Sequence, residues 1–125
     1  MDENTLANHV IAAAIEVHKS VGPGLLESAY QLCLAHELKL RAISFVRERS
    51  IAVHYKGLIV DNAYRVDFVV EDKLLLELKT VDLVTPTHKA QLLTYLRLTE
   101  IKLGLLLNFN MVLLKNGIHR VVNNL

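Results

Sequence analysis

The sequence contains a single cysteine, Cys33, among its 125 residues. One thiol excludes an intramolecular disulfide, and it excludes an iron–sulfur or zinc site built from four cysteines. Because Cys33 lies within apolar residues at helical spacing, we expect it to be a small residue of the core. With no disulfide to form, the expected location is the cytoplasm.

Long apolar runs are also absent, although 52% of the residues are hydrophobic and the mean hydropathy is +0.31. No segment approaches the ~18 to 20 uninterrupted apolar residues of a membrane span, so we expect no membrane partner. The stretch 6–17 is interrupted by His9 and Glu16 and lacks the flanks of a signal peptide, so none is expected. The composition indicates one domain over residues 1–125 with a well-covered sheet.

An excess of charge of one sign is missing as well, because 14 lysines and arginines face 13 aspartates and glutamates. Proteins that cover nucleic-acid backbones are usually more basic, which argues against tight non-specific DNA binding. An enzyme with a local basic patch, or one that binds its substrate through a metal, is compatible with this balance.

Several catalytic and ligand-binding motifs are absent. The six histidines show no spacing such as His-x3-His, so a histidine-based zinc site is not expected. The Gly22 and Gly24 pair lacks the rest of a dinucleotide fingerprint, and there is no P-loop lysine. No Gly-x-Ser-x-Gly elbow occurs, so serine hydrolase chemistry has no support.

Apolar periodicity predicts a mixed α/β domain with one central sheet. It is not the strict βαβ alternation of a dinucleotide-binding fold. A turn is also predicted at 61–62. In chain order we predict a helix to about His18, a helix at 25–41, a strand or bent pair at 44–55, a short strand at 58–61, a hairpin of 64–70 and 74–81, a helix at 87–99, a buried strand at 103–109, and a terminal hairpin of 111–114 and 118–122.

The most informative stretch is 64–80, in which two strand-like apolar runs meet at a short polar turn. Asp67 lies in the first run, and Glu77 and Lys79 lie on one face of the second because strand side chains alternate. Charged groups on an otherwise buried strand are costly unless they are paired or bind metal. The two acids could bind Mg²⁺ or Mn²⁺ while Lys79 serves the attacking water. The alternative is a surface hairpin with a weak ion pair of ~0 to 1 kcal/mol.

Two helices carry further polar candidates. Glu27 lies in the first turn of the second helix, where the dipole favours an acid even without a catalytic role. Tyr30, one turn on, fits a core aromatic with a satisfied hydroxyl. His88, Gln91 and Tyr95 share one face of the third helix. The Gln91 amide could hold a water or a phosphate, and a polar stripe at the edge of the sheet is the alternative.

Together these segments resemble the GxxExxY proteins, a small-domain branch of the PD-(D/E)XK nuclease superfamily. The resemblance implies a restriction-endonuclease-like core with α-β-β-β-α-β order, in which helices flank a mixed central sheet. Val66 stands where the superfamily name has proline. The matching motifs are Gly24-Leu-Leu-Glu-Ser-Ala-Tyr30, Tyr64-Arg-Val-Asp67, Leu76-Glu-Leu-Lys79, Ala90-Gln-Leu-Leu-Thr-Tyr-Leu96 and Gly104-Leu-Leu-Leu-Asn-Phe109.

The resemblance also implies roles for individual residues. Asp67 would be the acid of the second core strand, with Glu77 and Lys79 as the (D/E)xK pair of the third. Glu27 would be an additional acid brought in by a helix. Gln91 would begin the Gln-x3-Tyr motif that ends at Tyr95.

We therefore expect a Mg²⁺- or Mn²⁺-dependent nuclease that acts on nucleic acid, with DNA favoured over RNA. A homodimer that completes a substrate groove is an open alternative. So are a non-catalytic module that binds nucleic acid or protein, and an enzyme for a small nucleotide. The expected metal ligands are Asp67 and Glu77, the catalytic residues Lys79, Glu27 and Gln91, and the substrate contacts Tyr95, Tyr30, Arg65 and Lys89.

Overall fold

The computed structural model describes residues 1–125. One five-stranded sheet has the strand order β1-β2-β3-β4-β5, in which β3 and β4 are parallel and the other neighbours antiparallel. This confirms the predicted mixed sheet and the α-β-β-β-α-β order. The elements are α1 (Glu3–Val21), α2 (Glu27–Leu40), β1 (Phe45–Tyr55), β2 (Leu58–Val70), β3 (Leu74–Lys79), α3 (Pro86–Thr99), β4 (Leu103–Asn108), a 3₁₀ helix (Leu114–Gly117) and β5 (Ile118–Val122).

Helices cover the sheet on both faces. Leu76, Leu105 and Leu107 belong to the cluster that packs against α1 and α2. Leu75 and Leu106 belong to a separate cluster against α3. Successive strand residues point to opposite faces, so β3 and β4 are buried on both sides and read as continuous apolar runs. A charged side chain on β3 therefore stands out against its surroundings.

The parallel pair brings functional segments to one edge of the sheet. β3 ends at Lys79 and β4 at Asn108, and these two residues are paired in the ladder. Between them α3 begins with Pro86, after a Thr85 side chain that accepts the N–H of His88. The loops after β3 and β4 therefore meet beside Lys79. No helix combines the length and the apolar character that crossing a bilayer requires.

The predicted turn at 61–62 is wrong, because β2 runs unbroken from Leu58 to Val70. Asn62 does adopt a positive φ of 54°. The β1–β2 register shifts between Ile51 and Val53, so extra residues of β2 bulge there. The Asp-Asn signal thus marks a bulge inside a strand and not a chain reversal.

The predicted terminal hairpin is wrong as well. Residues 111–113 form no strand, and β5 pairs instead with β4, placing Val122 opposite Leu103. A Cβ on Gly117 would lie 2.3 Å from the carbonyl oxygen of Asn108. Glycine is needed there because two backbones approach closely, and the Asn-Gly pair was misread as a hairpin turn.

A two-stranded ribbon extends from the sheet. β2 pairs with β1 along nearly its whole length, but with β3 only from Phe68 to Val70. Residues 50–65, here named the β-arm, are therefore held only by each other and by the neighbouring end of α3. Its apolar side chains are largely exposed towards the tip, including Tyr55, Leu58 and Ile59.

Candidate active site

The candidate site lies in the fork where β2 and β3 separate. On the N-terminal side of Phe68, β2 is no longer paired with β3, and two carboxylates form the hydrogen bonds between the strands instead. The backbone N–H of Asp67 donates to Oε1 of Glu77 at 2.9 Å. The backbone N–H of Leu78 donates to Oδ2 of Asp67 at 2.8 Å. Each strand thus presents an acid to the backbone of the other, and the fork is fixed by these crossed bonds.

A kink in β2 turns Asp67 into the fork. Val66 packs in the α3-side cluster and Phe68 in the opposite one, although residues two apart on a regular strand share a face. The β1 residues on either side of Glu48 pair with the neighbours of Asp67, so Glu48 lies opposite Asp67. Glu48 has a positive φ of 50°, a costly conformation for a non-glycine residue. The irregularity therefore involves both strands at the position of the acid.

Oxygen atoms suited to a hard cation converge in the fork. The second oxygen of each carboxylate accepts no hydrogen bond, and no buried side-chain oxygen is left without a partner, so both are open to solvent. The N–H of Leu78 points into the fork, and its carbonyl points to the same edge because strand backbone groups alternate between edges. Three or more acidic, histidine or cysteine side chains do not cluster closely enough to form a metal site by themselves. A cation here would have two carboxylates, the Leu78 carbonyl and water.

The two acids lie in a poorly solvated place, which disfavours their negative charge. Burial raises the pKa of Glu77 to about 8, and repulsion from Asp67 adds to the effect, while the Asp67 N–H and Lys79 oppose it. Burial also raises the pKa of Asp67, against the Leu78 N–H and Lys79, and Glu48 raises it further. One lysine does not neutralise both carboxylates. A divalent cation would do so, and the residues present therefore fit one.

Lys79 lies close to the acids without forming an ion pair. Its ammonium lowers the pKa of Glu27, Asp67 and Glu77, yet no carboxylate oxygen lies within 4.0 Å of it. Its main chain is fixed, because the N–H of Phe109 donates to the Lys79 carbonyl at 2.9 Å. The ammonium is therefore held near the site and remains available to a ligand.

Glu27 is the first residue of α2, and its carboxyl group is close enough to Asp67 and Lys79 to be affected by their charges. Burial raises its pKa, and Asp67 raises it further, which places the helix end beside the acids. Tyr30 is completely buried, contrary to its expected place at a substrate surface. Its hydroxyl donates to the Gly22 carbonyl at 2.6 Å and accepts the Leu25 N–H at 3.2 Å. Tyr30 therefore holds the loop that delivers Glu27.

The two candidates on α3, Tyr95 and Gln91, differ in burial. Tyr95 is buried. Burial raises the pKa of its hydroxyl to about 12, and the nearby Glu77 carboxylate raises it further. Its ring centroid lies 5.4 Å from that of Tyr64 on the β-arm. Gln91 is exposed one turn before it and makes no hydrogen bond within the protein. Both are on the side of α3 expected from their i, i+4 spacing.

The two expected phosphate contacts are not brought to the acids. Lys89 lies near His119 on β5. Burial lowers the pKa of that imidazole, and the positive charge of Lys89 lowers it further. Arg65 is mostly exposed on the β-arm, 3.8 Å from Glu48. Neither is among the groups that shift the pKa of Asp67 or Glu77.

Three supporting residues were missed by the sequence analysis. The Asn108 amide accepts the Val81 N–H at 3.1 Å and donates to the Val81 carbonyl at 2.9 Å, fixing the loop after Lys79. Nε2 of His18 lies 3.1 Å from the Phe109 carbonyl and therefore donates to it. Glu48 stands opposite Asp67. An asparagine at a strand end was the only available signal, and it is a weak one.

The buried acid makes stability depend on pH. The pKa of Glu77 is about 8 when folded and about 4.5 when unfolded, so between these values the folded chain retains a proton that the unfolded chain releases. The free energy of unfolding of the metal-free protein is therefore expected to fall by about 3 kcal/mol from pH 5 to pH 8. Chemical denaturation across this range measures it. In Glu77→Gln this fall should largely vanish, and equal slopes in the two proteins would contradict the assignment.

Comparison with known proteins gives a consistent result. A family model described as the PD-(D/E)XK nuclease superfamily matches residues 4–121. The crystal structure of SSO0001 is similar with a TM-score of 0.57 and 21% sequence identity, and the match covers 79% of this chain and 51% of that one. At this identity the likeness shows the fold alone, and this chain corresponds to about half the length of that protein. Among curated proteins no sequence matches.

Proposed function

The chain belongs to the PD-(D/E)XK nuclease superfamily, and on this premise we propose that it hydrolyses phosphodiester bonds of nucleic acid, with DNA as the favoured substrate. The observation that carries the proposal is the fork, in which Asp67 and Glu77 are fixed by crossed backbone bonds beside an unpaired Lys79. The motifs around Glu27 and Tyr30 support placement in the GxxExxY branch.

Superfamily members generally use divalent metals, and Mg²⁺ or Mn²⁺ is the cation proposed here. Asp67 and Glu77 would hold it through the two oxygens that accept no hydrogen bond, together with the Leu78 carbonyl. When bound, the cation would neutralise the carboxylates and polarise a phosphoryl oxygen. The crossed backbone bonds keep both side chains in place before binding, which reduces the ordering that binding requires.

Lys79 is the proposed partner of the attacking water. Hydrolysis forms a bond from the water oxygen to phosphorus and breaks one phosphorus–oxygen ester bond, with a proton passing from the water to the solvent or the leaving oxygen. An ammonium at the mouth of the fork would orient that water and stabilise the negative charge on the phosphoryl oxygens. Since Lys79 makes no ion pair, its donors are free for this role.

Glu27, Gln91 and Tyr95 would shape the same site. Glu27 adds negative charge at the α2 end of the fork, where it can accept a hydrogen bond from water. The exposed Gln91 amide can donate to a phosphate oxygen. The Tyr95 hydroxyl keeps its proton at neutral pH, because its pKa is about 12, and can act as a donor.

An extended polymer fits this site better than a small nucleotide. All five cavities of the protein lie elsewhere, and none is lined by Asp67, Glu77 or Lys79. The fork instead reaches solvent through the two carboxylate oxygens that accept no hydrogen bond, and an extended strand can lie across it. Because such a substrate extends beyond a chain of this size, we propose a homodimer as the binding unit, acting in the cytoplasm.

The proposal is tested by calorimetric titration of Mg²⁺ and Mn²⁺ into the protein, together with cleavage of DNA and RNA of identical sequence. We expect metal uptake, cleavage that requires the metal, and faster cleavage of DNA. Cleavage that persists at full rate in a chelator would contradict the metal assignment. Metal uptake and tight nucleic-acid binding without cleavage of any substrate would support the non-catalytic module instead.

A further inference from the structure

A cavity of about 430 Å³ lies between the end of α1 and the segment that leads into the 3₁₀ helix. Its volume is typical of sites for small molecules, and its wall is mostly apolar. None of the fork residues lines it, so it is separate from the candidate active site. The apolar part of the wall is formed by Ile15, Val112, Leu113 and Leu114.

His18 is the polar group built into this wall. The residue is only 5% exposed, and its Nε2 donates to the Phe109 carbonyl at 3.1 Å. Nδ1 makes no hydrogen bond within the protein, yet no buried side-chain nitrogen is left without a partner, so Nδ1 meets open space. His18 lines this cavity and none of the other four, which places that open space here. With the proton on Nε2, Nδ1 of the neutral ring can accept a hydrogen bond from a ligand.

Two lysines without ionic partners flank the apolar wall. Lys19 belongs to the last turn of α1 and Lys115 to the 3₁₀ helix, so separate segments bring positive charge to one opening. Neither lysine forms an ion pair, and no acidic residue lines the cavity. Like charges beside one opening repel each other, and a bound anion would relieve this repulsion. The charge of the cavity is therefore complementary to a negatively charged ligand.

We propose that this cavity binds a small amphiphilic anion, in which an apolar body carries one negative group with an O–H or N–H donor beside it. The negative group would lie against Lys19 and Lys115, and the donor would bond to Nδ1 of His18. The apolar body would cover Ile15 and Leu114. A nucleic-acid strand fits less well, because it is charged along its whole length and would leave the apolar wall uncovered. Carboxylates and phosphate monoesters share the required chemistry, since an ammonium group binds either as a point charge.

Calorimetric titration of simple amphiphiles tests the proposal, at concentrations below those at which they form micelles. Octanoate should bind at one site, whereas octanol lacks the charge and acetate lacks the apolar body, so both should bind roughly tenfold more weakly or worse. The hydroxyl of 2-hydroxyoctanoate can donate to Nδ1 of His18, so this compound should bind more tightly than octanoate. Octyl phosphate shows whether phosphate or carboxylate is preferred, and either preference supports an anion site.

Substitutions at the rim of the cavity test the role of charge. Lys115→Met removes the ammonium but keeps most of the stem, and it should weaken octanoate binding roughly tenfold. Val112→Asp should weaken it as well, because it adds a repelling charge. Val112 is 86% exposed, so circular dichroism should show an unchanged fold. The control is Lys102→Met, which removes an exposed lysine outside the cavity and should bind octanoate like wild type.

Hydrogen exchange locates the bound ligand. The Phe109 carbonyl accepts from His18, and the Phe109 N–H donates to the Lys79 carbonyl at 2.9 Å. A ligand that holds His18 and the segment after Phe109 opposes local opening there, so 2-hydroxyoctanoate should slow exchange of the Phe109 amide. Exchange along the β-arm, which lies outside the cavity, should not change.

Several results would overturn the proposal. A wild type that binds none of octanoate, 2-hydroxyoctanoate and octyl phosphate would remove the site. Equal binding of octanol and octanoate, or a Lys115→Met protein that binds like wild type, would remove the anion. Slower exchange on the β-arm but not at Phe109 would place the ligand elsewhere. All these measurements are made without metal or nucleic acid, so failure of the proposed nuclease chemistry would leave this inference untouched.

Discussion

Asp67→Asn is expected to lower the rate of metal-dependent cleavage by a factor of about a thousand or more, equivalent to roughly 4 kcal/mol of transition-state stabilisation. The amide oxygen can still accept the Leu78 N–H, so the fork should keep its shape. What is lost is one of two negative charges available to the cation. Calorimetry should show metal affinity falling together with the single-turnover rate.

The matched control for this substitution is Asp72→Asn. Asp72 lies in the turn of the same β2–β3 hairpin with its side chain 90% exposed, and its 3.8 Å contact with Arg49 is a weak surface pair. Cleavage and metal binding should equal those of wild type. If Asp67→Asn also cleaves at the wild-type rate, the fork is not the catalytic site.

Lys79→Met is expected to separate binding from chemistry. Lys79 lowers the pKa of both fork acids, so removing its charge makes the fork more negative and should leave metal affinity unchanged or slightly higher. Loss of the group that serves the water should lower the single-turnover rate by about a hundredfold to ten-thousandfold. Methionine retains most of the apolar stem, so stability should change little.

Calorimetry and single-turnover cleavage on the same preparation measure this separation. The control is Lys73→Met, in the turn before β3, where the lysine donates to the Met1 carbonyl at the surface, away from the fork. A Lys79→Met protein that loses metal binding and cleavage in parallel would assign Lys79 to structure. One that cleaves normally would remove it from the mechanism.

The sequence was sufficient to predict which side chains of β3 share a face. Alternation alone places Glu77 and Lys79 together, and the run of leucines around them reveals that the strand is buried. Apolar periodicity also predicted the order of the helices and strands, and the resemblance to a known family supplied the α-β-β-β-α-β core. These predictions depend on local pattern, which a strand buried on both faces displays clearly.

The geometry of the fork could not be read in this way. The crossed bonds of Asp67 and Glu77 depend on where β2 separates from β3, which is a property of the whole sheet. Tyr30 illustrates the same limit, since a motif identifies the residue without showing that its hydroxyl is used inside the protein. Asn62 and Gly117 were read from the sequence as turn residues. In the folded chain Asn62 lies in a β-bulge, and Gly117 allows two backbone segments to approach closely.

The burial of Glu77 sets function against stability within one short strand. A neutral residue there would remove a carboxyl group that the folded chain keeps protonated at neutral pH at a cost in stability, while the leucines of β3 would still fill the core. Such a chain would be more stable and catalytically inert, the trade-off expected where a site holds groups that the fold disfavours. If the proposed function is right, a single substitution at Glu77 separates an active chain from a more stable and inactive one, and selection for stability alone would favour the inactive one.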